Sequence, residues 1–360
     1  MNRKILICGV LIFNLTLCFL AGRGLQAQKK DKDQENQAVY IPKEVKEVFK
    51  TGIKTRQARQ DIPFEVIEHI YLPARENVHS IIFFKVKNSD LGYTPVVPDS
   101  ESKAKEPTKE STQEAAGTSG LLKTKSHVFL QFNQLDGDLE REVYIPLDFQ
   151  AEEGSFDPEE EVICSTGYPL PHGKFLLSMA IASWDLKKIG AQYFEFTLPN
   201  AAVFTDTLDT TPVFFVRELN RMEKPEMKVE IHRDYFTYSV LQITPNLEKT
   251  FKPGENLDIF FFLYGAQPNA EGAYDIDASY QVLQKDKPVI KFAGTKYNNP
   301  IISQPLPIKK TVIVQTQEGD QVTEKKETKD LDPGLYTLNI ELKCNITGKT
   351  VSKTIDFVIE

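Results

Sequence analysis

Two long stretches of this chain show the same alternation of apolar and polar residues. They read LPHGKFLLSMAI at 170–181 and LDPGLYTLNIEL at 331–342, and they align without gaps at an offset of 161 residues. Side chains of one parity along a strand share one face of its sheet, so each stretch predicts a strand with one buried side. The match continues into a following strand, and the aligned pairs on the buried side are Gly173 and Gly334, Phe175 and Tyr336, Leu177 and Leu338, Met179 and Ile340, Ile181 and Leu342, Phe194 and Ile355, Phe196 and Phe357, and Leu198 and Ile359. Each half of the chain is therefore expected to end in two paired strands of a duplicated domain.

A weaker match lies upstream and indicates an insertion in the first half. PARENVHSIIFFKV (73–86) parallels KPGENLDIFFFLY (252–264) at an offset of 179, which leaves 18 additional residues in the first half. The segment PDSESKAKEPTKESTQEAAGTSG (98–120) is a clear source, because it is almost devoid of apolar residues. Such a composition cannot bury enough apolar surface to offset the entropy of ordering. We predict a disordered insertion at about 98–125.

The motif LDPGLY indicates the kind of sheet domain. Pro333 and Gly334 form a turn, and Tyr336 enters the next strand facing inward, which looks like the tyrosine corner of immunoglobulin-like sandwiches. In the first half Gly173 and Phe175 occupy the aligned positions, where the phenyl ring keeps the packing without the hydroxyl. Further short strands separated by Gly, Pro, Asp and Asn suggest about seven strands per half. The predicted fold class is all-β, with two tandem immunoglobulin-like β-sandwiches.

The N-terminus has the layout of a secretory signal peptide. Basic Arg3 and Lys4 precede an apolar run at 5–20, and Ala27 offers a small residue for cleavage. A retained membrane anchor is the alternative, and Cys18 raises a lipoprotein alternative that Leu17 disfavours because such sites need a small residue there. The sequence thus predicts a bacterial protein exported to the periplasm or cell surface, without a stable membrane span after cleavage.

The expected domain boundaries follow from these features. Within the N-terminal segment, PKEVKEVFKTG at 42–52 has apolar positions at helical spacing. The predicted units are a signal peptide at 1–27, a basic N-terminal segment with one short helix at 28–59, a first sandwich at 60–200, a linker at 201–227 and a second sandwich at 228–360.

Composition and charge narrow the classes of partner. The 360 residues are 41% hydrophobic, which is enough for two cores, and 43 basic residues stand against 51 acidic ones. A net acidic chain gains no counterion-release attraction for nucleic acid, so we expect none as partner. Cys164 and Cys344 remain after signal cleavage, one in each half; a single bridge between them is an open alternative to buried free thiols.

The strand and turn motifs resemble a known group of sequences. The runs GKFLLSMAIASWDLKKIGAQYFEFTLP, FKPGENLDIFFFLYGA and LDPGLYTLNIELKCNITGKTVSKTIDFVIE are similar to the β-sandwich tails of secreted GWxTD-domain and von Willebrand factor A-related proteins of Acidobacteria-type bacteria. The resemblance covers about residues 60–360 and implies the sandwich fold. The GWxTD sequence and the D-x-S-x-S adhesion motif are absent from this chain, so the functions that those motifs carry are not implied.

Sequence motifs of enzymes are missing from the chain. It contains no G-x-S-x-G, no H-E-x-x-H, no glycine-rich phosphate loop and no cysteine pair at zinc spacing, and its five histidines are scattered. We expect no catalytic, cofactor-binding or metal-binding residues. The acidic segment DFQAEEGSFDPEEE (148–161) could offer oxygen ligands to calcium, although a solvated loop is the favoured interpretation.

The outward side of the first repeated strand carries the most informative signal. Thr337, Asn339, Glu341 and Lys343 are polar there in the second half, whereas the first half has the apolar positions Leu176, Ala180, Ala182 and Trp184. An apolar outer face is expected to be covered. The cover is either internal, from the second domain or from TPVFFVRELNRME (211–223), or a binding partner.

The leading functional hypothesis is an exported, non-enzymatic interaction or structural protein whose partner is another exported or envelope protein. No cofactor is expected. The alternative is a carbohydrate- or calcium-dependent ligand-binding module, since sheet faces and edges serve either role.

Overall fold

A computed structural model describes residues 41–96, 120–200, 202, 204, 206–318 and 321–360. Within these residues the chain is mostly β, with several largely antiparallel sheets packed in a β-sandwich-like manner and one short α-helix. The predicted all-β class is thereby confirmed. The predicted signal peptide at 1–27 and most of the predicted insertion lie outside the described residues. The C-terminal end of that predicted insertion is wrong, because residues 121–124 form a strand.

The elements of the first half begin with the only α-helix of the described residues. They are α1 (Lys43–Thr55), β1 (Arg59–Gln60), β2 (Phe64–Ala74), β3 (Asn77–Lys87), β4 (Tyr93–Pro95), β5 (Leu121–Thr124), β6 (Ser126–Gln134), β7 (Glu140–Pro146), β8 (Gln150–Glu152), β9 (Glu161–Leu170), β10 (Gly173–Ser183) and β11 (Ile189–Leu198), with short 3-10 turns at Asn88–Leu91 and Glu153–Ser155. The short helix predicted at 42–52 is therefore present and slightly longer.

The second half consists of short and long strands. They are β12 (Asp209–Thr210), β13 (Phe214–Arg221), β14 (His232–Arg233), β15 (Phe236–Tyr238), β16 (Leu241–Pro245), β17 (Thr250–Phe251), β18 (Asn256–Tyr264), β19 (Ile276–Gln284), β20 (Lys287–Lys291), β21 (Thr295–Tyr297), β22 (Ile301–Pro307), β23 (Lys309–Glu318), β24 (Gln321–Asp330), β25 (Gly334–Cys344) and β26 (Thr350–Ile359). The segment assigned to a linker at 201–227 thus contains two strands, and β13 pairs with both β16 and β18.

The strands of the first half, together with β14, form a group of sheets that we call the first body. It is built of two main sheets that face each other. One has the order β1-β11-β10-β6-β7 and the other β14-β9-β3-β2, and a small sheet β4-β5-β8 lies beside them. Their facing side chains form one core, to which β3 contributes Phe84, β6 contributes Phe132 and β10 contributes Phe175. Two antiparallel sheets that bury their apolar faces together are the general solution of a sandwich.

The strands that follow, with the exception of β14, form a second group of sheets, which we call the second body and which has its own core. Its sheets have the orders β17-β26-β25-β19-β20, with β21 also on β19, and β12-β18-β13-β16-β15, with β22 also on β18. Its core takes Phe261 from β18, Tyr280 from β19 and Tyr336 from β25. The long hairpin β23-β24 forms a separate two-stranded sheet.

The sequence repeat is reproduced in the strand register. Gly173 pairs with Leu198 in β10-β11, and Gly334 pairs with Ile359 in β25-β26, so both partners keep the offset of 161. Gly173 and Gly334 are half-buried. The inward residues that lie buried in the two cores are Phe175, Leu177, Met179 and Ile181 of β10 and Tyr336, Leu338, Ile340 and Leu342 of β25. Identical register over two strands requires equivalent turns and equivalent core faces, because a slip of one residue would exchange the two faces.

The two turns before these strands use different hydrogen bonds. The hydroxyl of Tyr336 donates to the carbonyl of Asp332 at 2.7 Å, the bond expected from the sequence. In the first body Phe175 has no hydroxyl, and the Asp136 carboxylate instead accepts from the Lys174 amide at 2.9 Å. The first body therefore fixes its turn with a side chain from the neighbouring β6-β7 loop.

A third cluster joins the outer faces of the two bodies. Ile81 of β3 and Phe260 of β18, which align at the offset of 179, both belong to it. The Tyr238 hydroxyl donates to the Pro73 carbonyl at 2.6 Å, and β14 pairs with β9 of the first body. The upstream repeat thus marks strands that serve a core on one face and the contact between bodies on the other.

Candidate functional site

The apolar outer face of β10 is covered by helix α1. Val45 and Phe49 of the helix are buried with Ala180 and Ala182 of β10. Alanines allow a helix to approach a sheet closely, which is why small residues occupy this face. Leu176 on the same face is also 1% exposed.

This packing corrects the predicted partner face of Leu176, Ala180, Ala182 and Trp184. The first three are buried, so they are not available to a partner. The cover over Ala180 and Ala182 is α1 rather than the second body or 211–223. Trp184 is the exception, since it is 68% exposed. The site that the structure supports is therefore centred on Trp184.

The helix is seated by a close contact between Gly52 and Tyr193. A Cβ atom at Gly52 would lie 1.8 Å from the Tyr193 hydroxyl oxygen, so the contact requires a residue without a side chain. The Tyr193 hydroxyl donates to the Val48 carbonyl at 3.0 Å. Exposed ion pairs of Lys46 with Glu142 and Arg56 with Glu195 flank this contact. Because surface pairs contribute little, the glycine contact and the buried apolar face hold the helix.

A groove opens between Trp184 and the start of α1. It is a shallow depression, open to solvent, with a volume of about 300 Å³. Its lining residues, which we call the Trp184 groove, are Pro42, His127, Phe129, Tyr144, Trp184 and Leu186. Tyr144 is 42% exposed, so two large aromatic rings are accessible here. A concave apolar site with exposed aromatic side chains is typical of binding surfaces.

The aromatic rings in the Trp184 groove pack against each other. The ring centroids of Phe129 and Tyr144 lie 5.4 Å apart, and those of His127 and Tyr144 lie 5.6 Å apart. The Tyr144 hydroxyl and His127 Nδ1 are 3.0 Å apart. Burial lowers the pKa of His127, and a hydrogen bond to the Trp184 backbone acts in the opposite direction. The neutral imidazole can accept from the Tyr144 hydroxyl at Nδ1, which fixes both rings.

The turn that carries Trp184 is held by its own hydrogen bonds. The Trp184 amide donates to the Lys125 carbonyl at 3.1 Å, and the Ser183 hydroxyl donates to Asp185 at 2.8 Å. Lys187 lies 2.9 Å from Asp185, and this partner together with Ser183 lowers the pKa of Asp185 to about 2. A turn ordered in this way presents the indole without a large entropic cost on binding.

A larger open depression of about 580 Å³ follows the other side of α1. Its lining includes Glu44, Glu47 and Arg59, and its aromatic residue Tyr193 already donates its hydroxyl to the helix. It lacks the exposed rings of the Trp184 groove, and we therefore regard it as the seam between helix and sheet.

Four of the seven acidic residues at 148–161 form ion pairs with basic side chains. Its ion pairs are Asp148 with Lys123 at 2.7 Å, Glu159 with Lys87 at 2.8 Å, Glu160 with Arg233 at 3.0 Å and Glu161 with Lys85 at 2.7 Å. In the part of the chain that the structure describes, no group of three or more His, Cys, Asp or Glu residues is placed to hold a metal ion. These four carboxylates act as partners of lysine and arginine.

The histidines and cysteines do not converge on one site. His69 lies 3.0 Å from the Ser80 hydroxyl, and His232 pairs with Glu226 at 2.8 Å elsewhere. Cys164 and Cys344 are free and buried in separate cores. Of the two alternatives from the sequence, buried free thiols are observed.

Comparison of the chain with models of known protein families and with curated proteins gave no match. Over the described residues, none of the helical structure is long and apolar enough to cross a membrane.

Proposed function

We propose that this chain is an exported, non-enzymatic interaction protein that binds another exported or envelope protein through the Trp184 groove. The location in the periplasm or at the cell surface follows from the expected signal peptide at 1–27. The proposal assigns no catalytic residue and no cofactor.

The proposed scaffold is two tandem immunoglobulin-like sandwiches. Each body has a sheet in which the last two strands pair next to a central strand, β6 in the first and β19 in the second. Tyr336 adds a hydrogen bond from a strand start to upstream backbone, as in a tyrosine corner. The resemblance to sandwich tails of secreted bacterial proteins agrees with this assignment.

The observation that carries the functional proposal is the exposure of Trp184. An indole that is 68% exposed on an ordered turn has no packing role comparable to that of a core residue. Aromatic side chains are enriched among the residues that dominate binding energy. Its position beside a groove offers a partner both a ring to cover and a cavity to fill.

The chemistry of the groove favours an apolar side chain of a protein over a sugar. Sugar recognition needs free hydrogen-bonding groups next to an aromatic ring. Here Tyr144 and His127 are hydrogen-bonded to each other, and the remaining lining is the apolar Pro42, Phe129 and Leu186. The expected occupant is an aliphatic or aromatic residue on an exposed segment of the partner protein.

Site-specific cross-linking in the source organism tests this proposal. A photoreactive residue is placed at Tyr144, and a matched control is placed at Leu335, which is 64% exposed on β25. We expect one envelope protein to cross-link to the photoreactive residue at position 144. The same cross-linked product should be absent when the photoreactive residue is at position 335, and it should be lost from position 144 in a Trp184→Ala background. The captured protein is then purified and titrated against the chain. Trp184→Ala should weaken binding by about 30-fold or more, the range of a strong interface residue.

Two results would contradict the proposal. One is a cross-linking pattern that is identical at positions 144 and 335, and the other is an unchanged Kd in Trp184→Ala. A glycan-binding function is distinguished by the intrinsic fluorescence of Trp184, the single tryptophan of the chain. Quenching or shift of this emission by soluble glycans, without protein capture, would replace the protein partner by a carbohydrate.

A further inference from the structure

The hairpin β23-β24 is a long two-stranded sheet anchored at its base. Its ladder runs from Lys309 opposite Asp330 to Glu318 opposite Gln321. Ile308 precedes it and Leu331 follows it, and both are buried in the second core. Neither strand pairs with any other strand of the described residues. With about 3.3 Å per residue the ladder is roughly 30 Å long, so two extended strand edges are left open.

The hydrogen-bonding direction along these edges follows from the hairpin geometry. Two residues separate Glu318 from Gln321, and in such hairpins the closing pair is hydrogen-bonded. Hydrogen-bonded and non-hydrogen-bonded pairs alternate in an antiparallel ladder. Ile313 and its partner Lys326 are therefore a non-hydrogen-bonded pair. Their backbone N–H and C=O groups point away from the hairpin, each toward one open edge.

The two edges differ in how favourably each could pair with the same edge of a second copy of the chain. The centre of β24 consists of Lys325, Lys326 and Glu327. If the β24 edges of two copies paired antiparallel about any one of these residues, that charged side chain would lie opposite the same residue of the other copy. Like charges directly opposite are destabilising, and edge lysines commonly protect strands from association. On β23 the centre is the apolar run Val312, Ile313 and Val314. One edge is thus protected and the other is not.

We infer that β23 pairs with β23 of a second copy of this chain. The strands run antiparallel about a twofold axis, with Ile313 opposite Ile313 and Val312 opposite Val314 of the other copy. This register matches the outward backbone groups of both strands, because residues with outward groups must lie opposite each other. It converts two hairpins into one four-stranded sheet, and additional strands stabilise hairpins that are marginal alone. The surface is separate from the Trp184 groove and does not depend on the function proposed for it.

Sedimentation equilibrium of the purified chain with two proline variants tests this inference. Ile313→Pro removes an outward N–H from the β23 edge without removing a ladder bond of the hairpin. Lys326→Pro makes the equivalent change at the directly paired position on the other edge and is the matched control. We expect a dimer for the unmodified chain and for Lys326→Pro, and a dimer Kd raised by about 100-fold or more for Ile313→Pro.

A cysteine variant gives a second measurement that does not depend on tolerance of proline. Ile313→Cys should form a disulfide-linked dimer on mild oxidation, whereas Lys326→Cys should remain monomeric in a reducing-agent-free gel. A monomeric unmodified chain at 100 µM, a dimer that both proline variants dissociate equally, or equal cross-linking at positions 313 and 326 would each overturn the inference.

Discussion

Tyr336 stacks on Phe357 with ring centroids 5.7 Å apart and an interplanar angle of 23°. Phe175 stacks on Phe196 at 5.6 Å and 20° in the first body. In both cases the two rings lie on directly paired residues of the last two strands. The duplicated sequence therefore preserves a ring pair as well as a strand register, and the two copies differ at this point by one hydroxyl group.

That hydroxyl provides a test of the turn in the second body. Tyr336→Phe keeps the ring stack and removes the hydrogen bond to the Asp332 carbonyl, so we expect a loss of about 1 kcal/mol in the free energy of unfolding. Tyr336→Ala also removes the ring and should cost about 3–5 kcal/mol. Urea unfolding of both variants measures the difference. Equal losses for the two variants would show that the ring contributes nothing beyond the hydroxyl, and would contradict the role given to the ring stack.

A second prediction concerns the contact that seats α1. Alanine is normally favoured over glycine within a helix by about 1 kcal/mol. At Gly52 we expect the opposite sign, because the added Cβ would collide with the Tyr193 ring. Gly52→Ala should destabilise the chain and increase hydrogen exchange across 43–55.

The control for this prediction removes the obstacle. In a Tyr193→Ala background the same Gly52→Ala change should become neutral or stabilising, since the space at Gly52 is then free. Destabilisation of equal size in both backgrounds would locate the effect in the helix itself and contradict the role of the contact.

The extent to which the sequence predicted this structure depends on the range of each interaction. Parity and repeat placed Phe175 and Tyr336 on buried faces, because strand alternation is a local property. The helix near 42–52 and the apolar face with Ala180 were also predicted, each from its own pattern. The packing of helix α1 on this face joins residues more than 120 positions apart in the sequence, and no local pattern encodes such a contact. The exposure of Trp184 at the end of the same face could not be predicted for the same reason, because it too depends on where α1 packs.

The linker prediction failed for a similar reason. Strand β13 alternates poorly, since its first residues Phe214 and Phe215 serve two different clusters. Only the first three residues of β13 are buried, and periodicity cannot assign so short an apolar run. Its pairing with β18 becomes evident only in the assembled sheet.

A third prediction concerns the dependence of stability on pH. Burial lowers the pKa of His69 to about 4 from the ordinary value of 6.5. The folded chain therefore keeps His69 neutral while the unfolded chain binds a proton. Its contribution is complete above about pH 6.5 and is lost as the pH falls toward 4, in total about 3 kcal/mol. Urea unfolding at pH 7.5 and pH 4.5 measures this loss.

The variant His69→Gln identifies the residue responsible. It should reduce the difference in unfolding free energy between pH 7.5 and pH 4.5 by about 2.5 kcal/mol, because pH 4.5 still lies above the folded pKa of about 4 and the loss is not complete there. A residual difference is expected, because burial also lowers the pKa of His79. An unchanged difference in the variant would assign the pH dependence to other groups.

The last prediction separates the exposed and the covered parts of the β10 face. Trp184 is 68% exposed and Ala182 is fully buried under α1, although only one residue lies between them. Trp184→Ala should change the free energy of unfolding by no more than about 0.5 kcal/mol, as exposed substitutions usually do. Ala182→Asp buries a carboxylate under the helix and should cost more than about 2 kcal/mol or displace the helix. Because Trp184 is the single tryptophan, its emission in the native chain should already be red-shifted, accessible to acrylamide, and little changed by urea. A blue-shifted native emission that moves to the red on unfolding would place the indole in a buried environment, and the Trp184 groove would then lose the ring on which its binding function depends.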